Sequence, residues 1–285
     1  MSVLRAEMTR HMQLRRLSPK TQKSYLYAVK CLARFYHQSP DRLTPRQVQD
    51  YLHHLLVKRK LAWSSCNVAV NAFVYFYTRV LGWDRLKLDL PRCKRESRLP
   101  EVLSTEEVER LLDAPDNPKH RVLLMTTYAT GLRVGEVVNL QVTDIDRDRK
   151  AVRVRQGKGR KDRYSMLSDR LRTELRAYWK LYRPKTWLFP GPDPTHPLTV
   201  STPQRIYNAA KRAAGIERGR GIHTLRHCFA THLLEAGVDP RTLQVLLGHK
   251  SLNTTMRYLQ VTRNHVLNVR SPLDLLPVPE SSTPR

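Results

Sequence analysis

Carboxylates are scarce in this chain, cysteines are few and no long apolar run exists, and each shortage removes a class of function. Only 25 Asp and Glu stand against 51 Lys and Arg in 285 residues, which sets the formal charge at +26 and the pI near 10.5. A surface so cationic repels itself unless a polyanion is at hand, so nucleic acid is the leading partner and an anionic membrane a distant second. The membrane reading fails on its own terms. No run of about 18 apolar residues is present to span a bilayer, and the first eight residues lack the apolar centre of a signal peptide. The expectation is a cytoplasmic protein without membrane association. The four cysteines, Cys31, Cys66, Cys93 and Cys228, stand far apart with no C-x-x-C spacing. That argues against a zinc module or a disulfide framework and fits a reducing compartment.

The positive charge that remains is unevenly spread. Residues 1–100 carry a net +14 and the other 185 residues +12, so the first third is much more densely basic and suited to phosphate backbone. A chain of this length usually holds two domains. Helical signals dominate the first, placed at 1–90. Ser18-Pro19 offers an N-cap with proline at the first helical position, ahead of Tyr25, Val29, Leu32 and Tyr36. Thr44-Pro45 repeats the signal before Val48, Leu52, Leu55 and Leu56, and a third segment runs from Ser64 to a stop at Gly82. Phe73, Tyr75, Phe76 and Tyr77 could stack on bases, but their helical setting favours core packing.

Residues 91–103 hold two prolines among Arg92, Lys94, Arg95 and Arg98 with no apolar period, and read as a basic linker. The second domain, 104–285, opens with the capping box Ser104-Thr-Glu-Glu107. A buried helix over 122–129 ends at Gly131, and another begins at once after it. Alternation over 151–155 and 162–167, around the turn at Gly157-Lys158-Gly159, predicts two antiparallel strands. Helices are signalled again over 168–182 and 202–214 and after Asp239-Pro240. The fold class is therefore mainly α with a small antiparallel sheet (α+β). No internal repeat or low-complexity run interrupts it.

Several familiar sites fail on inspection. Asp144, Asp146 and Asp148 begin like a calcium loop, but its sixth and twelfth positions hold Arg149 and Arg155 where glycine and glutamate are needed. Gly157-Lys158-Gly159 lacks the frame of a nucleotide-binding loop. His223 and His227 lie four apart, without the glutamate of a zinc helix or an obvious third ligand. No metal or cofactor is expected.

What stays is a set of cations with one hydroxyl. His223-Thr-Leu-Arg226-His227 is followed by the Gly248-His249 turn and then by Tyr258, with Arg133 far upstream. Arg133 and Arg226 fall among residues that should be buried, where charge needs partners, and Glu136 is the only carboxylate near Arg133. A lone arginine would simply pair with Glu136 on a helix. Five cations and a tyrosine together make an anion site the better reading.

These blocks resemble the tyrosine recombinase, or phage integrase, family: Ala129-Thr-Gly-Leu-Arg133-Val-Gly-Glu136, Gly157-Lys158 through Arg163, His223 through His227, Leu246-Leu-Gly-His249 and Tyr258. Their order covers nearly the whole second domain, and the basic helical first domain is similar to the family's core-binding domain. The resemblance extends to Xer-like and integron-type members. The ending 269–277 is similar to integron integrases, yet the segment that those enzymes insert ahead of the His223 block is lacking.

The resemblance implies roles. Arg133, Arg226 and His249 would hold the nonbridging oxygens of a scissile phosphate. Tyr258 would attack phosphorus to give a 3′-phosphotyrosine, with His223 in the place of the base and Lys158 as the acid for the departing 5′ oxygen. Glu136 would orient Arg133, and His227 is supporting. The implied arrangement is a C-shaped clamp on double-stranded DNA carrying specific recombination sites, and a homo-tetramer in the synapse. The apolar tail from about 264 is expected to pack on a neighbouring protomer. Two other classes fit the same residues: type IB topoisomerase-like relaxation by a monomer, and a noncatalytic DNA-binding regulator.

Overall fold

Side-chain caps start six of the twelve α-helices among the described residues of the computed structural model, which are 3–84, 100–155 and 162–260. Lys158, most of the linker and the tail from about 264 lie outside the described residues. The chain separates into two units, Met1–Glu96 and Ser97–Arg285.

The first unit is helical: α1 (Val3–Leu14), α2 (Pro19–Tyr36), α3 (Pro45–His53) and α4 (Trp63–Tyr75). The hydroxyl of Ser18 accepts the Thr21 N–H at 3.1 Å and so satisfies a donor that the first turn of α2 leaves open. Thr44 and Gln47 cap α3 reciprocally. Helices α3 and α4 each run on into a five-residue π-helical turn, His54–Lys58 and Phe76–Val80. Phe73, Phe76 and Tyr77 are fully buried with Leu32, Val48, Leu52 and Cys66. Each such side chain contributes about 1.5–3 kcal/mol by leaving water. Tyr77 also donates to the Pro40 carbonyl at 2.6 Å, and the half-buried Tyr75 meets His11 Nδ1 at 3.1 Å. This aromatic cluster packs the core and offers no stacking face. Helix α1 carries no strong sequence signal, and it is held by Met8 and Met12, four apart and both buried.

The second unit opens with α5 (Thr105–Asp113), where Ser104 and Glu107 form the expected capping box. Helix α6 (Pro118–Thr130) is central and packs against α5, α8 (Asp169–Tyr182), α9 (Ser201–Ala213) and α10 (His223–Glu235). It is buried on every side from Val122 to Thr127, so its threonines must satisfy their hydroxyls within the helix. Thr126 and Thr127 donate to the carbonyls four residues back at 2.7 and 2.8 Å. After the short α7 (Val134–Val138) come three antiparallel strands in sequence order, β1 (Ile145–Asp146), β2 (Ala151–Val154) and β3 (Arg163–Met166). Val154 pairs with Arg163 and Val152 with Ser165. The two-residue β1 is a third strand beyond the two the alternation predicts. Helices α11 (Pro240–Leu247) and α12 (Leu252–Leu259) complete the unit.

Asp144, first residue of the failed calcium loop, has a structural task. It is 1% exposed and accepts Arg155 Nε at 2.6 Å and the Gln141 N–H at 2.9 Å, which ties the end of the central strand β2 to the turn before β1. No helix among the described residues is long and apolar enough to cross a membrane.

Candidate active site

Two glycines place the backbone around which the cations gather. Gly131 ends α6 at φ +60°, and a Cβ there would sit 2.3 Å from the ring of Phe229. Gly248 ends α11 at φ +62°, with the Arg163 side chain 2.7 Å from where its Cβ would be. These two turns set the carbonyls of Gly131, Leu246 and Leu247 facing the site. Helix α10 supplies Arg226, which is 4% exposed. Its Nη1 donates to the Gly131 carbonyl at 2.5 Å and its Nη2 to the Leu247 carbonyl at 2.8 Å. Nη2 also lies 3.0 Å from Nε2 of His249. A guanidinium can only donate, so Nε2 of His249 accepts, and the ring proton sits on Nδ1, 2.9 Å from Oγ1 of the buried Thr255. Burial first, then the charge of Arg133, lowers the Arg226 pKa to about 10, still cationic at neutral pH.

Glu136 gathers the arginines. Oε1 accepts Arg133 Nη1 and Arg163 Nη1, each at 2.9 Å. Oε2 accepts Arg163 Nη2 and the Arg133 backbone N–H, each at 2.8 Å, and lies 3.9 Å from Arg226 Nη1. Burial pushes the Glu136 pKa up, but the hydrogen bonds from Arg163 and the Arg133 N–H and the charges of both arginines outweigh it and hold the carboxyl at about 2. One carboxylate thus spaces three guanidiniums that would otherwise repel one another.

Tyr258 lies on α12, 6% exposed, in a small core with Phe229, Ala230, Leu234, Leu243 and Leu247. Its hydroxyl meets Nδ1 of His227 at 3.1 Å, and its ring stacks with that of His249 at 6.3 Å between centroids and 8° between planes. Burial raises the phenol pKa against the pull of Arg226, Arg257 and Arg133, so the hydroxyl keeps its proton at neutral pH. Burial, followed by the charges of His223 and Arg226, lowers His227 to about 4. It is therefore a neutral ring that can share a proton with the phenol. His223, one turn earlier, is exposed beside an open pocket of about 380 Å³ that His227, Glu101, Gln204 and Arg220 also line. Partial burial of its ring and the charges of Arg226 and Arg133 lower its pKa too.

A glutamate-tethered group of arginines, the half-buried His227 and His249 and a buried tyrosine within one unit can bind an oxyanion and present a nucleophile to it. The profile of the phage integrase family matches residues 101–265. The chain belongs to this family. The profile "Phage integrase, N-terminal SAM-like domain" matches residues 4–85. A putative integrase/recombinase from Sinorhizobium fredii is 43% identical, covering 100% of this chain and 92% of the relative. Tyrosine recombinase XerA of Thermococcus kodakarensis is 35% identical over 95% of each chain. A crystal structure of XerA recombinase superposes with a TM-score of 0.55 at 30% identity, over 94% of this chain and 99% of that one. A lambda integrase dimer bound to a COC′ core site shares the fold, with a TM-score of 0.70 at 18% identity over 89% and 76% of the two chains. The enzyme class is that of the tyrosine-type site-specific recombinases.

In this phage integrase family member, Arg133, Glu136, Arg226, His227, His249 and Tyr258 come together, and His223 stands at the rim. It is His227 and not His223 that touches the Tyr258 hydroxyl. Sequence reasoning gave no role to Arg163, which is 10% exposed and holds Glu136 with both arms of its fork. The signal for it is an arginine two residues from the buried Ser165, on the inward face of β3. Thr255 carries no signal of its own beyond lying three residues before Tyr258 on α12.

Proposed function

We propose that this chain cuts and rejoins double-stranded DNA at specific sites through a 3′-phosphotyrosine on Tyr258. The observation that carries the reading is the group formed by Arg226, His249 and Tyr258, with Arg133 and Arg226 spaced by one carboxylate. Arg133, Arg226 and His249 hold the nonbridging oxygens and take up the charge that builds on them in the transition state. Guanidinium groups replace a metal as the charge clamp, and the phosphotyrosine conserves the bond energy for resealing, so neither metal nor nucleotide is consumed.

The proton on the phenol is the difficult step. Moving it fully from a group above pH 10 to a base near 4 is uphill by about 8 kcal/mol or more, at 1.36 kcal/mol per pKa unit. The phenol acidifies as its oxygen bonds to phosphorus, however, so an acceptor in hydrogen-bond reach suffices late in the step. His227, 3.1 Å from the Tyr258 hydroxyl, stands in that place, and His223 at the rim is the second acceptor. Lys158 protonates the departing 5′ oxygen. Glu136 orients Arg133 and limits repulsion among the arginines.

The basic first domain, 1–90, and the catalytic domain, 104–285, both bind the duplex, and four copies act in the synapse, in the cytoplasm and on the nucleoid. The test is a trapping assay with nicked duplexes drawn from DNA flanking the gene, run in EDTA on a denaturing gel. A protein–DNA band that is lost in Tyr258→Phe supports the reading. Tight binding with no band on any fragment would overturn it in favour of a regulator.

A further inference from the structure

Arg163, its side chain only 10% exposed, is a cation with no part in the proposed chemistry. It sits at the start of β3 in a site already crowded with positive charge, so its presence needs a reason. Three of its donors are directed. Nη1 and Nη2 reach the two oxygens of Glu136 at 2.9 and 2.8 Å, and Nε reaches the Leu246 carbonyl at 3.1 Å. The first pair fixes the plane of a carboxylate that also takes the Arg133 side chain and backbone N–H and lies 3.9 Å from Arg226. The third bond anchors the last turn of α11, next to the Leu247 carbonyl that receives Arg226 and two residues before Gly248. The aliphatic part of Arg163 packs against Gly248, the turn residue whose Cβ would stand 2.7 Å from Cδ. A planar fork with a third donor at its base matches this set of acceptors, and a lysine ammonium does not.

We propose that Arg163 is a positioning residue that sets two parts of the site at once: the Arg133–Arg226 pair through Glu136, and the turn presenting His249 through the Leu246 carbonyl. The proposal rests on the reading of Arg133, Arg226, His249 and Tyr258 as the reacting groups. A merely structural ion pair would cost stability when broken and leave the rate per folded, DNA-bound molecule unchanged. A positioning residue costs rate, because a displacement of about 1 Å at reacting groups loses about 100-fold.

The experiment compares the parent, Arg163→Lys, Arg163→Met and Gly248→Ala as full chains. Gly248→Ala leaves Arg163 chemically intact but drives a methyl into it. Measured are melting temperature, affinity for a nicked site, the rate of covalent complex formation at saturating protein, and side-chain Nε–H NMR signals of Arg133 and Arg226. The expected result is that Arg163→Lys keeps affinity within about threefold and slows covalent attachment about 100-fold, no better than Arg163→Met. Gly248→Ala shows the same split, and in all three variants the Arg133 and Arg226 signals broaden. Attachment by Arg163→Lys at the parent's rate would overturn the proposal, as would unchanged Arg133 and Arg226 signals. Should the parent itself form no covalent complex while the signals broaden in Arg163→Lys, positioning stands and the strand-transfer reading falls.

Discussion

Replacing Glu136 by Gln tests the electrostatics of the site without changing its volume. The carboxylate accepts four hydrogen bonds within 2.9 Å, two from Arg163 and two from Arg133. Glutamine keeps one oxygen and puts an NH₂ where the other stood, so donor faces donor on one arm of the Arg163 fork, and three guanidiniums lose their counter-charge. The pKa of about 2 against an ordinary 4.5 makes the ionised form worth about 3 kcal/mol in the folded state, at 1.36 kcal/mol per unit. Breaking one side of a buried ion pair costs about 3–5 kcal/mol in general, which agrees. For a unit of this size that lowers the melting temperature by about 6–12 °C at pH 7. The folded-state pKa is depressed, so the contribution is complete above about 4.5 and fades as pH falls through about 2. Differential scanning calorimetry of parent and variant should show a constant gap from pH 8 to 5 that narrows below it. Sulfate should raise the variant's melting temperature more than the parent's, by occupying the vacated centre of positive charge. A loss under about 2 °C at pH 7, or a gap that widens below pH 4.5, would refute the assignment of Glu136 as the hub.

Two further outcomes follow from the geometry. Gly131→Ala adds a methyl 2.3 Å from the Phe229 ring at a φ of +60°, and chemical denaturation should register a loss above about 2 kcal/mol, with Arg226 displaced because its acceptor carbonyl moves. His227 is held to about 4 by burial, so the folded state resists a proton that the unfolded chain accepts near 6.5. Stability should therefore fall as pH drops from 6.5 towards 4, by at most about 3 kcal/mol, and His227→Gln should flatten that slope in urea titrations at pH 7, 6, 5 and 4.

How much of this was legible in the sequence depends on the range of the interaction. Ser18, Thr44, Ser104 and Asp239 each cap a helix within three residues of themselves, so their signals are local and the structure repeats them. The pairing of Val154 with Arg163 likewise follows from alternation around a turn. Arg163 could not be given its task in this way, since Glu136 lies 27 residues upstream and the Leu246 carbonyl 83 residues downstream. Backbone carbonyls carry no residue code, so the acceptors at Gly131 and Leu247 that fix Arg226 were invisible until the turns were in place. His227 was ranked below His223 for a related reason. The i, i+4 spacing puts both on one helix, but only the docking of α12 decides which of them meets Tyr258.

Arg226 and His249 satisfy each other. Both hydrogens of the arginine's Nη2 are engaged by the Leu247 carbonyl and the His249 ring, and the ring's other nitrogen by Thr255, which makes a chain of hydrogen bonds from one turn to the next helix. A phosphate oxygen that takes Nη2 of Arg226 must displace one of these partners, and the histidine must change from acceptor to donor before its Nε2 can contact an oxygen. A small phosphoester gains little from such a trade. A long polyanion gripped elsewhere on the protein can drive it, because binding energy collected far from the reacting atoms offsets the rearrangement. If the site takes the phosphate proposed for it, the same chain of hydrogen bonds that keeps the cations ordered disfavours short esters relative to a long polyanion.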